Sequence, residues 1–128
     1  MTKLAMSAVA ATVLGLTTFQ ATANDGLDRT FDIVNESNRT IVAVHASHID
    51  RNTFGRRDLL GDYVVRPGQW MRLTPVRHQG YCRFDVQIAF DNGDLQNIRD
   101  VNLCEATEVV TYGYNMDRNA FYHRIVYG

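Results

Sequence analysis

Cys82 and Cys104 are the only cysteines in this 128-residue chain, and they bracket the stretch YCRFDVQIAFDNGDLQNIRDVNLCE, residues 81 to 105. Within it Cys82, Phe84, Val86, Ile88 and Phe90 alternate with Arg83, Asp85 and Gln87, which is the two-residue period of a half-buried strand. Asn92-Gly93 supplies two residues that accept positive φ and predicts a two-residue hairpin turn. Around such a turn opposed residues sum to 185, whereas Cys82 and Cys104 sum to 186. One extra residue in the returning strand, a β-bulge, brings the two opposite each other. The return also loses alternation after Leu95, since Ile98, Val101 and Leu103 share no single two-residue register. The sequence therefore predicts a disulfide that pins an irregular return onto a regular strand. Its role is in folding, because neither cysteine belongs to a Cys-x-x-Cys motif or lies beside a helix start, as reactive thiols do.

A disulfide implies an oxidising compartment, and the N-terminus agrees. MTKLAMSAVAATVLGLTTFQATAN begins with Lys3, continues as a short apolar run to Phe19 and ends in Ala21-Thr22-Ala23, the order of a secretory signal peptide. Cleavage is expected after Ala23, leaving one domain over residues 24–128. Ser7, Thr12, Thr17 and Thr18 interrupt the run, which makes an uncleaved anchor the weaker reading. No cysteine follows the run to take a lipid, and no twin arginine precedes it. Cleavage removes Lys3, the only lysine, so twelve arginines face fourteen acids, a net charge of −2. That balance gives no electrostatic footprint for nucleic acid. No second apolar stretch is long enough to span a bilayer. The expected location is periplasmic or secreted.

Beyond the leader the pattern is mostly period two, with turn residues every eight to twelve positions. TFDIVN (30–35) and TIVAVHAS (40–47) flank the polar NESN turn and are expected to form a hairpin. YVV (63–65) and WMRL (70–73) flank RPGQ, whose Pro-Gly pair specifies a type II turn and a second hairpin. EVVTYGYN (108–115) and AFYHRIVYG (120–128) flank the polar MDRN. No segment holds helical periodicity for three turns; a short helical turn fits FGRRDLLG (54–61). The expected fold is a small antiparallel β-sandwich of about seven to eight strands with one disulfide.

Ser47, Phe54-Gly55, Asp58-Leu59-Leu60-Gly61, Pro67-Gly68, Cys82 with Phe84-Asp85, Asn92-Gly93 and Asn102-Leu103-Cys104 form a pattern over about residues 30 to 110. It resembles a family of small exported bacterial proteins to which no activity is attached. The chain departs from that pattern in having Phe54 in place of Trp and His48 in place of Pro. The resemblance implies a compact β domain with one disulfide.

Several chemistries lack their residues. With no lysine after position 3 there is no Schiff base, phosphate-loop lysine or Ser-x-x-Lys system, and neither Gly-x-Ser-x-Gly nor His-Glu-x-x-His occurs. A Ser47/His/Asp hydrolase can be assembled on paper, as it can in most chains this rich in aspartate. A zinc or copper site would draw on His45, His48, His78 and His123. The plainer reading is one half-buried strand histidine and others in loops, and no cofactor is expected. DNGD (91–94) resembles a fragment of a calcium loop but turns straight back into a strand. Arg56, Arg57 and Asp58 lie between two glycines, either as an anion-binding loop or as a cap in which Asp58 holds its own turn while Leu59 and Leu60 plug the sandwich. Asp85, on the polar face of its strand and flanked by Arg83, reads as a cross-strand ion-pair partner of low value. Tyr112 and Tyr114 would approach Tyr122 if their strands pair, and tyrosine is a residue type that interfaces favour. The reading that follows is a non-catalytic envelope binding or structural module with an envelope protein partner. A periplasmic metal-binding protein and a small hydrolase are the alternatives.

Overall fold

The structure, a computed structural model, describes residues 26–51, 53–75 and 80–128. The expected leader and His78 lie outside these residues. Seven strands follow in order: β1 (Phe31–Asn35), β2 (Ile41–His48), β3 (Trp70–Leu73), β4 (Arg83–Phe90), β5 (Leu95–Asn102), β6 (Ala106–Asn115) and β7 (Ala120–Tyr127). They form a four-stranded sheet ordered β3-β1-β6-β7 and a three-stranded sheet ordered β2-β4-β5. Phe31, Ile33 and Val109 of the first sheet share one buried core with Val44, Phe84, Val86, Ile88 and Ile98 of the second. The protein is an all-β sandwich closed by one disulfide. It is not wholly antiparallel, since β1 and β6 run parallel.

The first two expected hairpins do not form, and Asn35 shows why. Phe31, Ile33 and Asn35 all face inward, so β1 ends on a buried amide. Its Nδ2 donates to the carbonyls of Arg39 (2.7 Å) and Val65 (2.8 Å), and its Oδ1 accepts from the amide (2.9 Å) and hydroxyl (2.6 Å) of Ser37. With all four capacities used, the amide is stable where an unpaired one would be costly. The residues after it are thereby drawn across the end of the sandwich, and β2 joins the other sheet. RPGQ does turn, with the Gln69 amide donating to the Arg66 carbonyl at 3.0 Å, but its flanks diverge. Val65 bridges to Ile41 while β3 pairs with β1, so the turn also passes the chain from one sheet to the other.

The β4–β5 hairpin forms with a different turn. The Gly93 amide donates to the Phe90 carbonyl at 3.0 Å and the Phe90 amide to the Asp94 carbonyl at 2.9 Å. Only Gly93 (φ 92°) is left-handed, so the loop is the three residues Asp91-Asn92-Gly93. The expected bulge lies between the pairs Val86↔Ile98 and Phe84↔Val101, where Arg99 and Asp100 together oppose Asp85. It restores Gln96, Ile98, Val101 and Leu103 to the interior. Asp85 is a cross-strand ion-pair partner, of Arg99 Nη1 (3.0 Å), but a buried one that also accepts from the Asp100 amide (3.0 Å). Beyond the bulge the Leu103 amide donates to the Cys82 carbonyl at 2.8 Å, and Cys82 and Cys104 are joined with their Cα atoms 5.1 Å apart.

In the segment that precedes β3, the only 3-10 turn among the described residues is Ile49–Arg51, upstream of the expected site. Asp58 accepts from the amides of Leu60 (2.9 Å) and Val44 (3.0 Å), and Leu60 is buried in the core. This loop covers the outer edge of β2, where an open row of backbone groups would invite pairing with another chain.

Candidate functional site

The last hairpin carries the most developed surface feature among the described residues. β6 and β7 pair antiparallel, but between Thr111↔His123 and Gly113↔Tyr122 the register shifts and Tyr112 is the extra residue. Bulges commonly re-aim a side chain next to a binding site. Gly113 at this point has φ 72°, and a Cβ there would meet the Ser37 Cβ at 2.8 Å. Gly113→Ala is therefore expected to cost about 2 kcal/mol through left-handed strain and overpacking, read as a lower urea midpoint with an unchanged slope. An unchanged midpoint would show that Ser37 and the bulge yield freely.

Three tyrosines, Tyr112, Tyr114 and Tyr122, line a cleft of about 400 Å³ together with Asn115 and Arg118. They are 45%, 41% and 39% exposed, yet two are fixed in place. The Tyr112 hydroxyl accepts from Arg124 Nε at 3.2 Å, and the Tyr114 hydroxyl bonds Asn119 Oδ1. The Tyr114 ring also meets Phe121 in a T-shaped contact, with centroids 5.3 Å apart, and Phe121 in turn stacks on Phe90 in the interior. From inside, Gln96 of β5 donates to the Tyr122 carbonyl at 3.1 Å and accepts from the Thr111 hydroxyl, which itself accepts from the Gly113 amide at 3.0 Å. The bulge and its tyrosines are thus backed by a buried polar chain.

A second cleft of about 470 Å³ adjoins the first through Tyr114 and Asn115 and opens between the β1–β2, β4–β5 and β6–β7 connections. Asn38, Asn92, Asp94 and Asp117 line it, together with Arg39, Phe90 and Met116. Asn92 and Asp94 bond one another across the hairpin loop, so DNGD serves there as a turn.

The remaining candidates do not converge. His45 lies on β2 opposite Gln87, His48 at the end of β2 stacks on Tyr81 at 3.8 Å, and His123 lies on β7 in the other sheet. Among the described residues no three His, Cys, Asp or Glu side chains gather as a metal ion would require. Ser47 is 1% exposed and its hydroxyl has no hydrogen-bond partner among the described residues, while both oxygens of Asp85 are engaged. That arrangement does not make Ser47 an accessible nucleophile. Asp58 is held by backbone amides, with Arg56 and Arg57 exposed beside it. Sequence reasoning named the tyrosines but missed Asn115, Arg118, Asn119 and Arg124. The signal available was that the polar turn following YGYN is rich in side chains able to reach a phenol.

Burial lowers the His123 pKa from 6.5. The folded state then favours the neutral ring, so His123's contribution to stability is complete above the unfolded value and is lost as pH falls through the lowered folded one. The melting temperature is expected to fall between pH 7.5 and 5.5, and His123→Gln should shallow that fall. An identical slope in the variant would assign the effect to other groups.

The fold and the cleft define a small disulfide-closed β-sandwich whose last hairpin presents a fixed aromatic surface. The disulfide is compatible with an extracytoplasmic location, and no described helix is long and apolar enough to cross a membrane. Compared with known proteins, the chain matches no protein-family model, no curated protein and no solved structure.

Proposed function

We propose that this protein is a non-catalytic binding module of the bacterial envelope, periplasmic or secreted after removal of its leader, and that the β6–β7 cleft is its binding surface. The observation that carries this reading is that Tyr112 and Tyr114, 45% and 41% exposed, are nonetheless held by Arg124, Asn119 and Phe121. Rings that serve only as strand formers need no such restraint. A rigid aromatic face loses little entropy on binding, which is why tyrosine is common where recognition is tight.

The test is co-sedimentation of the purified protein with washed envelopes of its host. Wild type is expected in the pellet, and the double variant Tyr112→Ala, Tyr122→Ala is expected to bind at least tenfold more weakly with its melting temperature little changed. Equal sedimentation of both proteins, or of neither, would overturn the reading.

A further inference from the structure

We propose that the two adjoining clefts form one trough for a glycan chain, with pyranose rings stacked on the tyrosines and their hydroxyls bonded by the neighbouring amides and carboxylates. This rests on the binding-module reading and names its ligand class. The clefts, about 400 and 470 Å³, share Tyr114 and Asn115 in their linings, which places them side by side. Each volume falls within the range of small-molecule sites, about 300–1,000 Å³.

Together the linings offer groups for both sides of a sugar. A pyranose has faces of C–H groups and a rim of hydroxyls that both donate and accept. Tyr112, Tyr114 and Tyr122 offer aromatic faces whose negative quadrupole suits C–H groups. Asn38 and Asp117 offer side-chain oxygens and an NH₂ group to sugar hydroxyls, and Asn92 and Asp94, although bonded to one another, keep further capacity for them. Asn115, at the junction, accepts from the Arg118 amide at 3.0 Å through its Oδ1, which orients the side-chain amide.

Other occupants of an aromatic cleft fit less well. A cage for a quaternary ammonium would exclude cations, yet Arg118 lines the tyrosines and Arg124 is bonded to one of them. A proline-rich peptide would stack on the rings, but its prolines carry no N–H to answer Asp94 and Asp117 in the adjoining cleft. Sugar hydroxyls supply those donors.

The protein with its disulfide intact would be incubated with two protein-free probes, purified peptidoglycan sacculi and purified lipopolysaccharide. Binding to either is expected, with at least a tenfold loss in Tyr122→Ala and a comparable loss in Asp117→Ala. Whichever probe binds identifies the source of the glycan. Tyr122→Ala touches the aromatic half and Asp117→Ala an exposed loop, so neither is expected to unfold the domain; unchanged melting would confirm this. If neither probe binds, and envelopes treated with protease lose the tyrosine-dependent sedimentation, the partner is a protein: the glycan assignment falls and the binding module stands. Sedimentation that never depended on the tyrosines would remove both.

Discussion

Asn35→Ala is expected to destabilise the protein by about 3–5 kcal/mol, a large share of the roughly 5–15 kcal/mol that separates folded from unfolded states in a domain of this kind. The side chain is fully buried and makes four hydrogen bonds, to the Arg39 and Val65 carbonyls and from the Ser37 amide and hydroxyl. Its backbone is engaged as well, with its amide donating to Gln69 and its carbonyl accepting from Gly68. Alanine keeps the backbone bonds but leaves the Ser37 amide without its acceptor and opens a cavity where two connections cross. Asn35→Asp retains the acceptor and loses both donations, and at neutral pH it also buries a charge, so it should recover none of the loss. Urea unfolding monitored by Trp70 fluorescence would measure both. A loss under about 1 kcal/mol in Asn35→Ala would mean that water replaces the amide and that the corner is not organised around it.

Removing the disulfide with Cys82→Ser and Cys104→Ser is expected to cost about 3 kcal/mol, since the residues joined are 22 positions apart and the cross-link limits the unfolded chain accordingly. The loss should be uneven. β5 beyond its bulge is held to β4 by the Arg83↔Asn102 and Phe84↔Val101 pairs and by the Leu103 amide bonding the Cys82 carbonyl. Amide exchange is therefore expected to quicken first over residues 101–104, while the β6–β7 hairpin keeps its protection. Uniform quickening over all seven strands would show that the bridge acts only through the unfolded state.

The parts of this fold that were legible in the sequence are those with a local cause. Phe84, Val86, Ile88 and Phe90 alternate because one face of β4 meets the core, and the one-residue bulge expected in the return is there, although with the three-residue loop it sets Leu103 rather than Cys104 opposite Cys82. Even so, Asn92-Gly93 serves a two-residue or a three-residue loop equally well, and only the backbone at Asn92 distinguishes them. Partner choice between distant segments was not legible. Nothing near Val34 or Val110 indicates that they lie side by side in parallel strands. NESN reads as a solvated turn because its polarity is visible while the burial of Asn35 depends on carbonyls up to thirty residues away. The site divides in the same way. The tyrosines announced themselves by type and by spacing along two strands. Their restraints, Arg124 and Asn119, look like ordinary surface residues until the hairpin closes.

Gln96 gives the molecule a mechanical property. Apolar faces resist separation but slide over one another readily, because the hydrophobic effect has no direction. Gln96 is a peg between the layers: rooted in β5, it grips Thr111 of β6 and the Tyr122 carbonyl of β7. A tug on the tyrosine hairpin by a tethered polymer would pass through that peg into β5, and from there along β5 to the end where Cys104 is fastened to Cys82. The covalent link and the proposed binding surface would then be the two anchored ends of a single line of force through the protein.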